Sequence, residues 1–424
     1  MGLTISEHER AALTEAAGFG LFAAISGRRS RRFPAGGVIP AGPLAYRSHR
    51  PVQPLSDVER ALLLSLMAGV TGWHDGIAHH PGYAPALPNY PGSATGRAMP
   101  SAAGFHTSQV FFTDDTGCYL LPTRDQPPRE FDTLEGRISH TADSYVRLSD
   151  SRLQLPREEP YMEGHNTWIG NHPGSLLAFA VADLAEHLLE NLWFFAANGY
   201  PVRDDINARE IPGIQAFSGL AHADDPIPLS FVEQYTLTEA SAELSIAAHN
   251  GALGLQAMGL GGWIFDGLDR LSVLGGSGDP RAPGFGFVAD TDPRWPFPNV
   301  TGLPGHFETL SPPHVASVAD GVAKLVARKF GLGGPSHRET AGPWTDSPGV
   351  RGSALPPDGI AELVTVEASY IYDTFGKLPG TVPTVHVLMY LQAQHLDTDF
   401  YDELYGPGAY LRTHAEHQQR WHAS

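Results

Sequence analysis

TLTEASAELSIAAHNGALGLQAMGLGGWIFDGLDRLSVLGG, from Thr236 to Gly276, is the stretch on which the reading of this chain turns. It opens as a capping box, in which the Thr236 hydroxyl can accept from the backbone N–H of Glu239 while Glu239 reaches back. About twenty residues rich in Ala, Leu, Ile and Gly follow without a proline, and apolar positions recur at helical spacing (Leu244, Ala247, Ala248, Gly251, Leu255, Met258). The small residues Ala247, Gly251, Gly254 and Ala257 allow close approach of another element. Gly259 is suited to the left-handed residue that closes a helix. Gly261, Gly262 and Gly267 then frame Trp263, Ile264, Phe265 and Asp266 in what reads as a loosened, partly aromatic loop. Such a loop offers backbone donors beside a flat apolar surface, which suits a flat ligand or cofactor. The plainer alternative is a core helix ending in an ordinary loop.

Working outward, 424 residues suffice for one large domain or two ordinary ones. A hydrophobic content of 42% describes a globular chain, and a net charge of −18 argues against nucleic-acid or anionic-membrane binding, both of which need a positive field. The single cysteine, Cys118, excludes an internal disulfide framework and fits a reducing compartment. The N-terminal MGLTISEHERAAL carries charges where a signal peptide needs its apolar core, so a cytoplasmic location is expected. The run Leu176–Ala197 contains Asp183, Glu186, His187 and Glu190, which argues against a membrane span.

Helices are expected over Ser6–Ile25, Val58–Ala68 with Ser56 as cap, Ser175–Asn198, Pro313–Lys329, and Val382–Leu396 with Thr381 as cap. Gln109–Thr113 reads as a strand that turns at Asp114–Gly117 and pairs with Cys118–Leu121. Four guanidiniums and a hydroxyl meet in Arg28-Arg29-Ser30-Arg31-Arg32, which suits an anion such as phosphate or else forms a solvated basic turn. Ser101, His106 and Ser108 sit where a small-residue turn meets the strand and could face a ligand edge. His74, Asp75, His79 and His80 lack ligand spacing, and no metal is assigned to them. The tail is rich in aromatics and histidines (Phe400, Tyr401, Tyr405, Tyr410, His414, His417, Trp421, His422), which suggests docking on the body or on a second subunit. His414 and His417 on one helical face could bind a metal or form a surface or interface contact.

Three segments, in order, resemble the nitroreductase-like flavoproteins. Arg28-Arg29-Ser30-x-Arg32 after a first helix is similar to the family's phosphate motif. Gly96–Leu121, with Arg97 and Pro-Ser before a glycine and a strand, resembles the azole-forming peptide dehydrogenase branch. Gly259–Asp269 is similar to the loop after the family's central helix. The resemblance implies an α+β fold with a central antiparallel or mixed sheet flanked by helices, and a homodimer binding FMN at its interface. It implies that Arg28, Arg29, Ser30 and Arg32 hold the FMN phosphate and that Ser101, Gly104 and His106 lie near the pyrimidine edge of the ring. Ile264 would pack on the ring, with the backbone of Asp266 and Gly267 facing N5 and O4. The Lys-x-Arg that often completes the phosphate site has only Lys324, Arg328 and Lys329 as candidates. The expected domains are a flavin-binding body at 1–330, with an insertion at about 125–235, and a C-terminal extension at 331–424. The expected function is an FMN-dependent oxidoreductase moving hydride between N5 and a small molecule or modified peptide, with NAD(P)H as candidate donor. A flavin-binding or sequestering protein without turnover is the alternative.

Overall fold

The computed structural model describes residues 2–73, 95–124, 126–222, 224–352 and 358–422, so His74, Asp75, His79 and His80 lie outside the described residues. The chain builds an α+β fold on one antiparallel sheet. Its strands are β1 (Ser108–Asp114), β2 (Gly117–Leu121), β3 (Val146–Ser149), β4 (Leu176–Asp183), β5 (Gly261–Phe265), β6 (Val385–His386) and β7 (Tyr390–Gln394). The spatial order is β5-β7-β4-β1-β2-β3, with β6 alongside β4.

Side-chain alternation divides the core. Val110 and Phe112 of β1, with Ala178, Ala180 and Ala182 of β4, face the layer of α3 (Asp57–Ala68), α4 (Leu134–Asp143) and α6 (Leu229–Met258). Phe111, Leu177, Phe179 and Val181 face the other way, into a cluster with Phe285, Phe287 and Phe307. Small residues let the long α6 lie close: a Cβ on Gly251 would stand 2.3 Å from Leu391 Cδ2, and one on Gly254 would stand 2.7 Å from Leu66 Cδ1. Beyond the sheet, α5 (Leu184–Ala197) packs with α7 (Val318–Phe330) and α8 (Ile360–Phe375) through Leu188, Trp193, Leu325, Leu363 and Ile371. Ser6 and Ser56 cap α1 (Glu7–Ala17) and α3 through complete capping boxes. No described helix is long and apolar enough to cross a membrane.

Several expected elements are replaced. The helix expected from Thr236 begins seven residues earlier, because no glycine or proline interrupts the chain between Pro228 and Gly251. Thr236 therefore lies inside the helix, its hydroxyl bonding Val232 O at 2.8 Å, and forms no capping box. Gly259 does close α6, with φ 78°. The loop expected after it is the edge strand β5. The first helix breaks at Gly18–Gly20 into α1 and α2 (Leu21–Gly27). Ser175–Asn198 is a strand followed by a helix, since a continuous apolar run fits either when both faces are buried. Val382–Leu396 forms β6 and β7, and α8 was not foreseen.

These replacements bear on the domain division as well. The segment expected as an extension supplies β6 and β7, and β7 lies inside the sheet between β5 and β4. The segment expected as an insertion supplies β4 and α5. Position 330 therefore marks no boundary of the sheet. The aromatic tail docks on the body, with Phe400 stacked 4.1 Å from Phe33.

Candidate functional site

The chain leaves α2 in extended conformation at Arg28, and the Arg29 guanidinium donates back to Ser26 O at 3.0 Å and Arg28 O at 2.8 Å. Arg31 turns inward. Its guanidinium bonds Ala409 O at 2.9 Å, Gln256 Oε1 at 2.8 Å and Gly27 O at 3.2 Å, and burial followed by the nearby charge of Arg29 lowers it to about 10. Arg28, Arg29 and Ser30 are exposed and Arg32 is half-buried. Arg32 lies over the Trp263 ring at 5.2 Å, and the Gly262 N–H donates to Arg31 O at 2.7 Å, which stitches the stretch to β5. Among the described residues, no carboxylate pairs with Arg28, Arg29 or Arg32. Lys324, Arg328 and Lys329 do not join them. Arg328 is bonded to buried Glu186, Lys329 meets Glu190 at 3.0 Å, and Lys324 faces Glu308 at 3.8 Å.

The second predicted group lies in a turn that includes left-handed Ala103 (φ 50°), Gly104 (φ 72°) and His106 (φ 53°). Such backbone is unfavourable for the two non-glycine residues and is held by the surroundings. The Ser101 hydroxyl accepts from His106 N at 3.0 Å. The turn runs into a buried polar chain: Thr107 Oγ1 lies 2.9 Å from His187 Nδ1, and His187 Nε2 lies 3.2 Å from Glu239 Oε2. Since the carboxylate can only accept, His187 donates from Nε2 and receives the threonine proton at Nδ1. Hydroxyl, imidazole and carboxylate stand in the order of a nucleophile relay. Thr107 and His187 are both wholly buried, and this chain joins the turn to α5 and α6. Nearby, the Ser108 hydroxyl donates to Glu243.

The third group stands at the far end of β5. Ile264 is half-buried beside Leu391, and Asp266 is exposed and paired with Arg270 at 2.7 Å. Gly267 is buried, and a Cβ there would stand 2.0 Å from Asn166 Nδ2. The Asn166 and Glu163 side chains close over the position, so a Cβ fits there only if they move. Asp266 lines a cavity of about 590 Å³, together with Asp269, Arg270, Lys377, Thr381 and His386 and an apolar wall including Trp295 and Phe297. Burial pushes Lys377 down to about 8 against the pull of Glu233. Burial, followed by the charge of Arg270, pushes His386 down to about 4, so it is neutral at pH 7. A cavity of this size with an apolar wall and a few charged groups suits a small organic ligand.

At ~3.3 Å per residue, Asp266 lies about 13 Å along the chain from Gly262, where the arginine stretch attaches. The start of β1 lies at the same end of the sheet as Asp266 but three strand spacings away, roughly 14 Å. The predicted residues thus occupy one sheet end and one edge and form no single compact cluster. Sequence reading missed Lys377 and His386, because the segment that carries His386 reads as a helix. Of the two tail histidines read as a pair, His414 caps its own turn, accepting from Leu411 N at 3.2 Å, and burial pushes it down to about 3. His417 turns instead toward Glu59, at 2.9 Å.

No family model matches this chain, and no curated protein matches it. A solved structure described as a candidate nitroreductase from Ralstonia eutropha JMP134 is similar over 59% of this chain and 72% of its own, at 15% identity and a TM-score of 0.30. A likeness of that size assigns no residue and no activity.

Proposed function

We propose that this chain is a flavin-dependent oxidoreductase that holds FMN on the Arg28–Arg32 stretch and acts, as a homodimer, on a small organic molecule or modified peptide. The observation that carries this reading is the unneutralised cation group. In a chain of net charge −18, Arg28, Arg29 and Arg32 have no carboxylate partner among the described residues, and exposed Ser30 follows Arg29 in the chain. Guanidiniums matched to phosphate oxygens form strong, directional bonds. Buried Arg31 anchors the stretch from behind, which holds these donors on a fixed base. The residues therefore fit the phosphate end of FMN. Toward the ring, Ile264 offers half-buried apolar surface and Asp266 is exposed, while Gly267 and the Ser101 oxygen are engaged within the chain.

Bound FMN supplies a two-electron carrier whose N5 exchanges hydride with a donor such as NAD(P)H and with the substrate. The chain's own residues bind and orient. Arg28, Arg29 and Arg32 hold the anionic end, and Arg32 over Trp263 ties it to β5. The cavity beside Asp266 takes the substrate, with Trp295 and Phe297 offering apolar surface and Arg270 and Lys377 placing charge. A second subunit is supported by α2, where Leu21, Phe22 and Ile25 are 63%, 87% and 53% exposed just before the arginines.

The test is the colour of the purified protein. The expected result is a yellow protein that releases FMN on denaturation and is bleached by NADH or NADPH. Bound FMN that no donor reduces would assign a flavin-binding protein without turnover. A colourless protein that FMN does not protect against heat refutes both readings.

A further inference from the structure

Outside the residues assigned above, four side chains from three distant segments converge. Glu59 lies in the first turn of α3, His395 directly follows β7, and His417 and His422 belong to the final turn of helix and the residue after it. One ligand atom from each lies within 4.8 Å of the others. His417 Nε2 stands 2.9 Å from Glu59 Oε1, His422 Nε2 stands 3.3 Å from the same oxygen, and His395 Nε2 stands 3.6 Å from Glu59 Oε2. Glu59 is wholly buried, His395 and His417 are 2% and 3% exposed, and His422 closes the rim.

Two features of this cluster go beyond an ordinary ion pair. The His395 and His417 Nε2 atoms are sealed from solvent and have no hydrogen-bond partner, although both are turned toward the carboxylate. Buried nitrogens of that kind call for an explanation. His417 also spends its other nitrogen on a backbone carbonyl: Nδ1 lies 2.8 Å from Met258 O, so it carries the proton and leaves the Nε2 lone pair pointing at the cluster. A backbone carbonyl behind the ring is the usual support of a metal-bound histidine.

We propose that Glu59, His395, His417 and His422 bind one divalent first-row transition metal, with zinc the best match to three imidazoles and one carboxylate. Four ligands at ~2.1 Å in a tetrahedron stand about 3.4 Å apart, so shifts of roughly an ångström close the set. Because the chain supplies all four ligands, the site is structural. It clamps the C-terminal segment to the start of α3.

The experiment uses the full chain, stripped of metal with chelator and titrated with Zn²⁺, Co²⁺ or Mg²⁺. One Zn²⁺ per chain is expected to bind and raise Tm, Mg²⁺ is expected to do neither, and Co²⁺ is expected to give the intense visible bands of a tetrahedral site. His422→Ala, at the half-exposed rim, is expected to fold and to lose affinity by at least about 100-fold, since even supporting residues behind a ligand contribute about 10–100-fold. Binding of Zn²⁺ by His422→Ala as tight as by the parent, or no uptake of Zn²⁺ or Co²⁺ by the folded parent, overturns the proposal.

Discussion

Glu367 on α8 gives a sharp test of the buried electrostatics. It is wholly buried, its Oε1 accepts from the Val202 N–H at 2.7 Å, and burial raises its carboxyl from 4.5 to about 8. In the unfolded chain the carboxyl ionises near 4.5, whereas in the fold it keeps its proton until about 8. Between those values the native state holds one more proton than the unfolded state, so stability falls as pH rises. The contribution is complete below the unfolded value and is lost by the folded one, at ~1.4 kcal/mol per pH unit. From pH 5 to pH 7 the loss is about 2–3 kcal/mol. Glu367→Gln keeps the shape and the oxygen that faces Val202 but has no titrating proton. Urea unfolding of both proteins at pH 5 and pH 7 should show the glutamine variant gaining about 2–3 kcal/mol on the parent between the two. A difference between variant and parent that is the same at both pH values would refute the reasoning, because Glu367 would then be ionised in the native state throughout.

Two further predictions concern steric and surface features. Gly267→Ala places a Cβ 2.0 Å from Asn166 Nδ2 and should cost about 1–3 kcal/mol in unfolding free energy. Adding Asn166→Gly should recover part of that loss, whereas a loss indifferent to residue 166 would mean that another contact sets the constraint. Phe22→Ser with Ile25→Ser should shift the protein from dimer to monomer in sedimentation velocity, and a dimer unchanged by both would place the interface elsewhere.

What the sequence disclosed follows the range of the forces involved. Ser6 and Ser56 were legible as caps, and Gln109–Leu121 as a hairpin, because a few neighbouring residues decide each. Leu176–Asp183 was not, since its uniform burial between two layers removes the alternation that marks a strand. In Tyr390–Gln394 the signal was present: Tyr390, Gln392 and Gln394 alternate with Leu391 and Ala393 at period two. Thr381 and Pro383 imitate a helix start and masked it. The arginine stretch was legible because like charges so close together need an explanation locally. Glu59 and its three histidines were not, because only the path of β7 and the docking of the tail bring them together.

The account rests on the arginines binding the flavin phosphate, and the most direct measurement is the FMN affinity of the metal-replete parent against the Arg28→Ala/Arg32→Ala double variant, read by flavin fluorescence. A hydrogen bond to a charged group contributes about 1.5–3 kcal/mol, so each arginine lost should weaken binding roughly tenfold to a hundredfold. The prediction is a double variant that stays folded and has little or no FMN affinity. Equal FMN affinity in the parent and the variant would contradict it.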